Sequence, residues 1–176
     1  MPGLTSAPRI ETDRLILRSF RRDDFESCFA LWSDPAVVRH IGNVPSTPED
    51  AWQRMARNLG HWVLTGFGFW AIEDRATGRH IGDCGLFEGM RGFDERFDAG
   101  LEAGWALIPS MHGQGLAYEA VNAAISWFGW QRTGRPVVCM IEPDNAPSVR
   151  LAEKLGFVLF DRKPYRNAEA LLFERP

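Results

Sequence analysis

Apolar residues recur along this chain at two different spacings, and each spacing predicts a different element. In Leu101–Ile108 the apolar residues stand mostly at every second position, which is typical of a strand with one buried face. Pro109 follows and ends that strand. In Tyr118–Phe128 the apolar residues recur at helical intervals, which is typical of a helix with one buried face. The middle of the chain therefore predicts a strand, a short loop and an amphipathic helix.

The other elements are predicted from similar patterns and from the Pro, Gly and Asp residues that bound them. Strands are expected at Arg14–Phe20, Phe67–Asp74, His80–Phe87, Val137–Ile141, Phe157–Asp161 and Ala170–Glu174, and helices at Asp23–Ser33, Thr47–Leu64 and Ser148–Leu155. Loops are expected between the first two helices, at Met90–Phe97 and at Arg162–Asn167. Helices alternate with strands in the second half, and antiparallel strands fill the middle. We therefore expect an α/β (α+β) fold with a mixed, largely antiparallel central sheet flanked by helices.

The composition is typical of one globular domain. The chain has 176 residues, of which 45% are hydrophobic and 24% are charged. We expect a single domain over residues 9–176 and a flexible arm over residues 1–8. The formal net charge of −3 argues against a nucleic-acid partner, and no apolar run approaches the roughly 20 residues that a membrane-spanning helix needs.

The cysteines and histidines predict neither a disulfide nor a metal site. Cys28, Cys84 and Cys139 are odd in number and widely spaced, which favours reduced thiols and a cytoplasmic location. Cys84 and Cys139 lie in strand patterns and are expected in the core. The four histidines lack the spacing of metal ligands, so no metal is expected. A monomer and a homodimer are both compatible with the sequence.

The loop before the amphipathic helix, His112–Ala117, contains two glycines separated by one residue. The start of a helix carries unpaired N–H groups and a partial positive charge, so this loop is a candidate phosphate cradle. It lacks the Lys-Ser/Thr pair of a P-loop and the third glycine of a dinucleotide fingerprint. A coenzyme A pyrophosphate site and a tight turn without a ligand both remain open from these residues alone.

A second segment, Ile141–Phe157, follows that helix after one predicted strand. Asp144 or Asn145 can cap a helix there, Pro147 is tolerated in its first turn, and Gly156 can end it. A glycine loop and its helix, followed after one strand by a capped helix, form a more specific pattern than either segment alone.

These two segments resemble the GNAT superfamily of acyl-CoA N-acyltransferases. The family signature Gln/Arg-x-x-Gly-x-Gly/Ala is similar to His112-x-x-Gly115-x-Ala117, with histidine at the first position, and the family pattern Asn-x-x-Ser before Gly-Phe is similar to Asn145 to Phe157. Residues 11–35 look like the opening of the branch that includes ribosomal-protein-alanine N-acetyltransferases. The resemblance extends from about Thr12 to Phe173. It implies the GNAT fold and acetyl-CoA as co-substrate.

The resemblance also implies which residues bind the coenzyme. Backbone N–H groups from Gln114 to Ala117 would hold the pyrophosphate, and backbone groups from Trp105 to Ile108 would contact pantetheine. Many family members carry Lys or Arg at the position of Gln114, so Arg150 and Lys154 are candidates for the missing positive charge, although both also suit a solvated helix face. The full set is Trp105, Ala106, Leu107, Ile108, His112, Gly113, Gln114, Gly115, Leu116, Ala117, Asn145, Ser148, Arg150 and Lys154.

Candidate catalytic residues follow from the chemistry of transfer to an amine. Glu102 faces away from the apolar set of its strand, so it is a candidate base or a structural carboxylate. Glu119 is a rival, but the helix dipole favours it in a first turn without catalysis. Many relatives protonate the leaving thiolate with a tyrosine whose position here is Ala152. Ser148 and Tyr165 are therefore candidates for the acid, and water is an alternative.

We expect a GNAT N-acetyltransferase that transfers the acetyl group of acetyl-CoA to a primary amine, on a protein N-terminus or a small molecule, by direct attack. The acceptor pocket is expected between the early helices, the central hairpin and the Arg162–Asn167 loop. One alternative is an acyl-CoA-binding sensor without catalysis, since the usual tyrosine is missing. Another is a different acyl donor, such as succinyl-CoA.

Overall fold

The computed structural model of the protein describes residues 4–129, 134–166 and 168–175. Its strands are β1 (Ile10–Glu11), β2 (Leu15–Arg18), β3 (Phe69–Asp74), β4 (His80–Phe87), β5 (Leu101–Leu107), β6 (Val137–Ile141), β7 (Val158–Tyr165) and β8 (Ala168–Arg175). Its helices are α1 (Phe25–Ser33), α2 (Pro35–Val38), α3 (Pro48–Thr65), α4 (Glu95–Ala99), α5 (Leu116–Gly129) and α6 (Ala146–Lys154).

The strands form one sheet in the order β1-β2-β3-β4-β5-β6-β8-β7. Every neighbouring pair is antiparallel except β5 and β6, which are parallel and are connected through α5. A parallel pair needs such a crossover, whereas antiparallel neighbours can be joined by short turns. The predicted mixed, largely antiparallel sheet flanked by helices is confirmed.

The helix boundaries have local causes that the sequence displays. Thr47 and Asp50 form a capping box at the start of α3, in which each side chain accepts the other residue's backbone N–H. Gly66 ends α3 in the left-handed region, with φ 79°. On α5 the predicted apolar stripe is buried and consists of Ala120, Val121, Ala124, Ile125 and Phe128, and Leu116 extends it to the start of the helix.

The two faces of the sheet are packed by different helices. On one face α5 and α6 cover the main core, to which Leu101, Ala103 and Leu107 contribute. Side chains alternate along a strand, so the residues between them point to the other face. There α1, α2 and α3 form two smaller apolar clusters, made of Phe20, Cys28, Met55 and Ala71, and of Leu31, Trp32, Val37, Val38 and Ala106. Cys84 and Cys139 are buried in the core, as predicted.

Three segments predicted as loops form regular structure. Arg162–Tyr165 is part of β7. Each of its residues pairs with a residue of β8, and the paired stretch of β8 contains the buried Leu171. Cross-strand packing overrides the polar sequence there, while Asn167 lies outside the described residues. The other two are the short helices α2 and α4, whose starts are capped by the side chains of Asp34 and Asp94.

Ala7 and Pro8, in the predicted N-terminal arm, contact the domain. Ala7 is buried in the main core, and the carbonyl oxygen of Pro8 accepts a hydrogen bond of 2.8 Å from Trp70 Nε1. In the described ranges, no helix has both the length and the apolar character needed to cross a membrane.

A buried ion network fixes α1 to the sheet. Arg18 on β2 donates two hydrogen bonds to Asp24, of 2.7 and 2.8 Å, and a third of 2.5 Å to Glu73 on β3. The side chains of Arg18 and Asp24 are only 6% and 7% exposed. Burial opposes ionisation of Asp24, but the hydrogen bonds from Arg18 and from the Arg21 N–H outweigh it and lower the pKa of Asp24.

We predict that Arg18→Met destabilises the protein by about 3–5 kcal/mol, because it leaves two buried carboxylates without their cation. Urea unfolding measures this loss, and Arg9→Gln is the control, since Arg9 pairs with Glu11 at the exposed surface. The control should change the free energy of unfolding by roughly 0.5 kcal/mol or less.

The same pair has a defined pH dependence. Because the pKa of Asp24 is lower in the folded state, the ion pair stabilises the fold above the unfolded pKa of about 3.9 and loses its effect as the pH falls through the folded pKa. The difference between wild type and Arg18→Met should therefore shrink at acid pH. A difference that stays constant there would contradict this account.

Candidate active site

The strands β5 and β6 separate soon after they meet. Their pairing is limited to Leu101 with Val137 and Glu102 with Val138, although β5 continues to Leu107 and β6 to Ile141. Beyond these pairs the two strands enclose a wedge-shaped opening in the middle of the sheet. By extension of the register, Trp105 lies across the opening from Ile141.

Backbone groups of β5 point into this opening. The Leu101 N–H donates toward β6, to the carbonyl of Pro136, whereas the Ile108 N–H donates toward β4, to the carbonyl of Ile81. Since the direction of backbone groups alternates along a strand, the N–H groups of Trp105 and Leu107 face the opening. An extended ligand with amide groups could pair with them as an added strand does. Of the four residues predicted to contact pantetheine, Ala106 and Ile108 turn their backbone toward β4.

Side chains line the opening on both faces of the sheet. On the α6 side, Trp105 Nε1 donates a hydrogen bond of 3.4 Å to Ser148 Oγ. On the α2 side, Val38 packs in a cluster with Ala106, and His40 Nδ1 lies 3.2 Å from a carboxylate oxygen of Glu142, just beyond β6. The opening is therefore a channel that is entered from the ends of β5 and β6.

The glycine loop lies at the entrance of this channel. Gly113 and Gly115 adopt φ values of 73° and 77°, a region that glycine enters without strain. His112 Nε2 donates a hydrogen bond of 2.8 Å to the carbonyl of Leu107, which fixes the loop to the end of β5. From the other side, Arg14 Nη1 donates one of 2.9 Å to the carbonyl of Gln114. His112 thus holds the loop in place.

The loop presents a set of free donors. Within the described residues, no group accepts a hydrogen bond from the backbone N–H of Gly113, Gly115, Leu116 or Ala117. They lie at the start of a 14-residue helix, where the dipole adds partial positive charge. The space beside Gly113 is open, since a Cβ there would meet nothing within 4 Å. Clustered N–H donors with room beside them fit a diphosphate.

Cations near the loop come from two directions. Lys154 on α6 places its Nζ atom 4.4 Å from the ring centre of Tyr118, which stands in the first turn of α5. Arg150 lies one turn earlier on α6 and is exposed. Arg14, which the sequence analysis did not identify, lies on the other side of the loop. It forms an ion pair with Glu119 and lines a cleft of about 510 Å³ beside Gln114.

The rival base Glu119 is engaged in structural contacts. Its carboxylate accepts hydrogen bonds from Thr12 Oγ1 at 2.6 Å, from the Arg14 N–H at 2.9 Å and from Arg14 Nε at 2.7 Å. Burial raises its pKa, but these donors outweigh burial and the net pKa is lowered. Glu119 therefore ties the N-terminal segment to α5.

Asn145 is the cap of α6, and its Oδ1 accepts the Ser148 N–H at 3.3 Å. Its side-chain NH₂ makes no hydrogen bond to any described residue, so it remains available to a ligand. The capping interpretation and the coenzyme interpretation of this residue are thus compatible. Ser148 accepts from Trp105 and keeps its own O–H proton free to donate.

Glu102 lies at the inner end of the channel, on the face opposite the main core. It is 6% exposed and accepts two hydrogen bonds of 2.6 Å, from Arg91 Nε and Nη2. Burial raises the pKa of Glu102, and Arg91 opposes this without cancelling it. A buried carboxylate with a raised pKa is a candidate proton acceptor.

Arg91 connects two of the predicted catalytic residues. Its Nη1 donates a hydrogen bond of 2.6 Å to Tyr165 Oη, so Glu102, Arg91 and Tyr165 form one cluster. Arg91 was missed because it stands in the irregular segment between β4 and α4, where no periodicity or motif marks it. Tyr165 enters from the end of β7, and its O–H proton has no acceptor within the described part of the chain.

A second polar cluster is buried under α1. Ligand atoms of Cys28, His80 and Asp83 lie within 4.8 Å of one another. His80 Nε2 lies 2.8 Å from Asp83 Oδ1, and His80 Nδ1 lies 3.0 Å from Ser27 Oγ. Sequence spacing could not reveal this group because its members come from α1 and β4. The expectation that the protein uses no metal stays a prediction.

Comparison with known proteins gives the same assignment as the geometry. Residues 14–158 match the family described as the Acetyltransferase (GNAT) domain. The uncharacterised N-acetyltransferase YoaA of Bacillus subtilis is 32% identical over 154 residues, which cover 85% of this chain and 82% of that protein.

Two solved structures show the same fold. A protein of Bordetella pertussis assigned to the GNAT acetyltransferases has a TM-score of 0.85 at 32% identity and covers 97% of this chain and 100% of that one. RimL, a ribosomal L7/L12 α-N-protein acetyltransferase solved with coenzyme A, has a TM-score of 0.76 at 17% identity and covers 96% of this chain and 97% of its own.

A mixed sheet with a central opening and a glycine loop at its mouth defines the protein as an acyl-CoA-dependent transferase. The chain belongs to the GNAT acetyltransferase family, so the predicted superfamily and the predicted class of enzyme are confirmed. Members of this family use acetyl-CoA.

We predict that Gly113→Ala weakens coenzyme A binding by roughly tenfold, which is about 1.4 kcal/mol, because alanine resists the positive φ that directs the loop N–H groups. Calorimetric titration with coenzyme A measures the affinity.

Gly78→Ala is the matched control, since Gly78 has φ 70° and equally open space for a Cβ, but lies in the β3–β4 turn. Both variants should lose a similar stability of about 1–2 kcal/mol. Equal coenzyme affinities in the two variants would show that the glycine loop is only a turn.

Proposed function

We propose that this protein transfers the acetyl group of acetyl-CoA to a primary amine by direct attack in a ternary complex. The observation that carries the proposal is the channel between β5 and β6, which joins free N–H donors at its entrance to a buried carboxylate at its inner end. The thioester is already activated, so the enzyme needs to hold two substrates together and manage two protons.

The chain offers backbone groups that bond to no other described residue and can bind the coenzyme. The loop N–H groups from Gly113 to Ala117 suit the pyrophosphate, and Lys154 lies against Tyr118 in the first turn of the helix that follows the loop. The N–H groups of Trp105 and Leu107 suit the amides of pantetheine. Asn145 can donate from the opposite wall. The cleft beside Gln114 offers space for the nucleotide end.

Glu102 is the proposed base. Beyond its pairing with Val138 the strands separate, so it stands where the channel ends inside the sheet. Its raised pKa makes it a better proton acceptor than an exposed carboxylate. Arg91 holds both carboxylate oxygens in one orientation and favours the ionised form, against the effect of burial.

Ser148 is the proposed acid for the leaving thiolate. Ser148 lies across the channel from β5 and contacts Trp105. It stands in the first turn of α6, where its backbone N–H donates a hydrogen bond to the N-cap residue Asn145. Ala152, which stands where many relatives have tyrosine, is fully buried and carries no donor. Tyr165 is the second candidate. Its contact with Arg91 favours a role beside Glu102, at the acceptor end.

The acceptor is proposed to enter between α3, the β4–α4 segment and the end of β7, on the face of Glu102. Protein N-termini and small amines are both accommodated by this proposal. The likeness to RimL and the N-terminal residues 11–35 support a protein N-terminus as the acceptor. We further propose a cytoplasmic enzyme that works as a monomer or homodimer without a metal.

We predict that Glu102→Gln lowers kcat by roughly 10²–10⁴-fold while coenzyme affinity stays within about twofold, since the amide cannot accept the proton. The assay is thiol release from acetyl-CoA with a panel of amines and N-terminal peptides. Glu119→Gln, the same change at the rival carboxylate, should lower stability and retain kcat. A full kcat in Glu102→Gln would remove Glu102 from the role of base.

We predict that Ser148→Ala lowers kcat more than Tyr165→Phe does, by roughly tenfold or more, because Ser148 contacts Trp105 beside the coenzyme end of the channel, whereas Tyr165 contacts Arg91 at the acceptor end. Single-turnover thiol release separates this step from product release. The reverse order of effects would assign the acid to Tyr165, and equal small effects would favour water.

The alternatives give different results in the same assay. A sensor that binds acyl-CoA without catalysis would bind coenzyme A by calorimetry and release no thiol with any amine. An enzyme for another donor would release thiol faster from succinyl-CoA than from acetyl-CoA. The missing tyrosine at Ala152 is the feature that favours the sensor.

A further inference from the structure

Two buried side-chain atoms of the described residues have no hydrogen-bond partner, and both belong to α3. They are Arg54 Nε and His61 Nδ1. Buried polar atoms are nearly always satisfied, because an unmade hydrogen bond costs about 1–3 kcal/mol. That both exceptions lie on one helix indicates a common cause.

Arg54 is held in place but is not paired. Its guanidinium carbon lies 3.7 Å from the ring centre of Trp32, and within the described residues its nitrogens form no hydrogen bond or ion pair. Its terminal nitrogens are not among the buried unsatisfied atoms, so they reach solvent. Desolvation, and then the neighbouring Arg57, lower the pKa of Arg54 to about 10. A stacked guanidinium with a free edge is already oriented for a bidentate anion.

The nearby carboxylates are occupied by other donors. Asp83 accepts from Trp32 Nε1 at 2.7 Å and pairs with His80 at 2.8 Å. Asp50 accepts from the N–H and hydroxyl of Thr47 at 2.8 and 2.7 Å. Both lie close enough to favour the charge of Arg54, but neither bonds to it. An anion that bonds to Arg54 would therefore come from outside the described residues.

Arg54, Arg57 and His61 follow one another at helical spacing, so they form a stripe along α3. Trp32, beneath Arg54, packs in a cluster with Ala106 of β5. At the other end, the ring of His61 meets that of Phe87 edge-on at 6.2 Å, and Phe87 lies directly opposite Glu102 in the β4–β5 ladder. The stripe thus runs above the same face of the sheet as the proposed base.

We propose that this α3 stripe binds a carboxylate or phosphate group of the amine acceptor, so that the preferred acceptor is an amine with a remote anionic group. This inference rests on the proposed function, since it assigns the acceptor of the same site. The anion would bind between Arg54 and Arg57, and the amine would reach Glu102 beyond His61.

The geometry limits the length of the acceptor. From midway between Arg54 and Arg57 to His61 is about five and a half positions, which is roughly 8 Å along a helix. An α-amino acid, with amine and carboxylate adjacent, is too short to use both ends. An ω-amino acid of several carbons, or a peptide N-terminus with an acidic side chain at its third position, spans this distance.

The test compares acceptors that differ only in the anion. The small pair is ε-aminocaproate and hexylamine, and the peptide pair carries Asp or Asn at the third position. The readout is the ratio of kcat/KM for the anionic acceptor to that for the neutral acceptor. In wild type this ratio should exceed one, and the pair with the larger ratio identifies the source of the anion.

In Arg54→Gln and Arg57→Gln the ratio should fall by roughly tenfold, the effect of one lost hydrogen bond to a charged group. Arg9→Gln, an exposed arginine just before the edge strand β1, removes the same charge elsewhere and should keep the wild-type ratio. An unchanged ratio in both stripe variants, or a wild-type ratio of one, overturns the proposal.

A failure of the proposed function can be distinguished from a failure of the anion site. If no amine is acetylated, calorimetric binding of ε-aminocaproate to wild type and to Arg57→Gln still tests the stripe, because Arg57 is exposed and its replacement does not disturb the core. Binding that is lost in Arg57→Gln supports the anion site without catalysis. Equal binding to both proteins refutes it.

Discussion

The separation of β5 from β6 is the constraint on which the rest of the structure depends. Two parallel strands inside a sheet normally stay paired along their length, because each backbone N–H and C=O that is no longer paired between them must find another partner. Here only two residue pairs form before the strands part. Side chains border the opening on both faces, with Trp105 against Ser148 on one and α2 and His40 on the other. The unpaired backbone of β5 is the surface that we propose binds the coenzyme as an extended molecule.

The same separation divides the chemistry between the two ends of β5. At its C-terminal end the chain turns through the glycine loop into α5, and this end supplies unpaired N–H groups with partial positive charge. At its N-terminal end the strand is still paired on both sides, and Glu102 is buried with Arg91 as its partner. One strand therefore places an anion-binding end and a carboxylate at a distance fixed by its length.

Much of this could be predicted because it is encoded locally. The capping box Thr47–Asp50, the stripe on α5 and the pair of glycines each depend on neighbours within one or two turns. Arg91 could not be found in this way, since its partners lie 11 and 74 positions away in the chain. The polar residues Arg162–Tyr165 were misassigned to a loop because their strand is stabilised by pairing with β8. Likewise, the cluster of Cys28, His80 and Asp83 exists only once α1 packs on β4.

Sequence reasoning also fails where a residue lacks a partner. Arg54 and His61 have ordinary helical spacing, so nothing in the sequence distinguishes them from a solvated face. In the folded chain they differ from other polar residues because burial removes water and no described group replaces it. The buried Arg18 shows the opposite case, since its guanidinium is fully engaged by Asp24 and Glu73. Both arginines lie on the helix-covered face opposite the main core. One guanidinium is satisfied by carboxylates of the fold, and the other lies where we propose that a ligand supplies the anion.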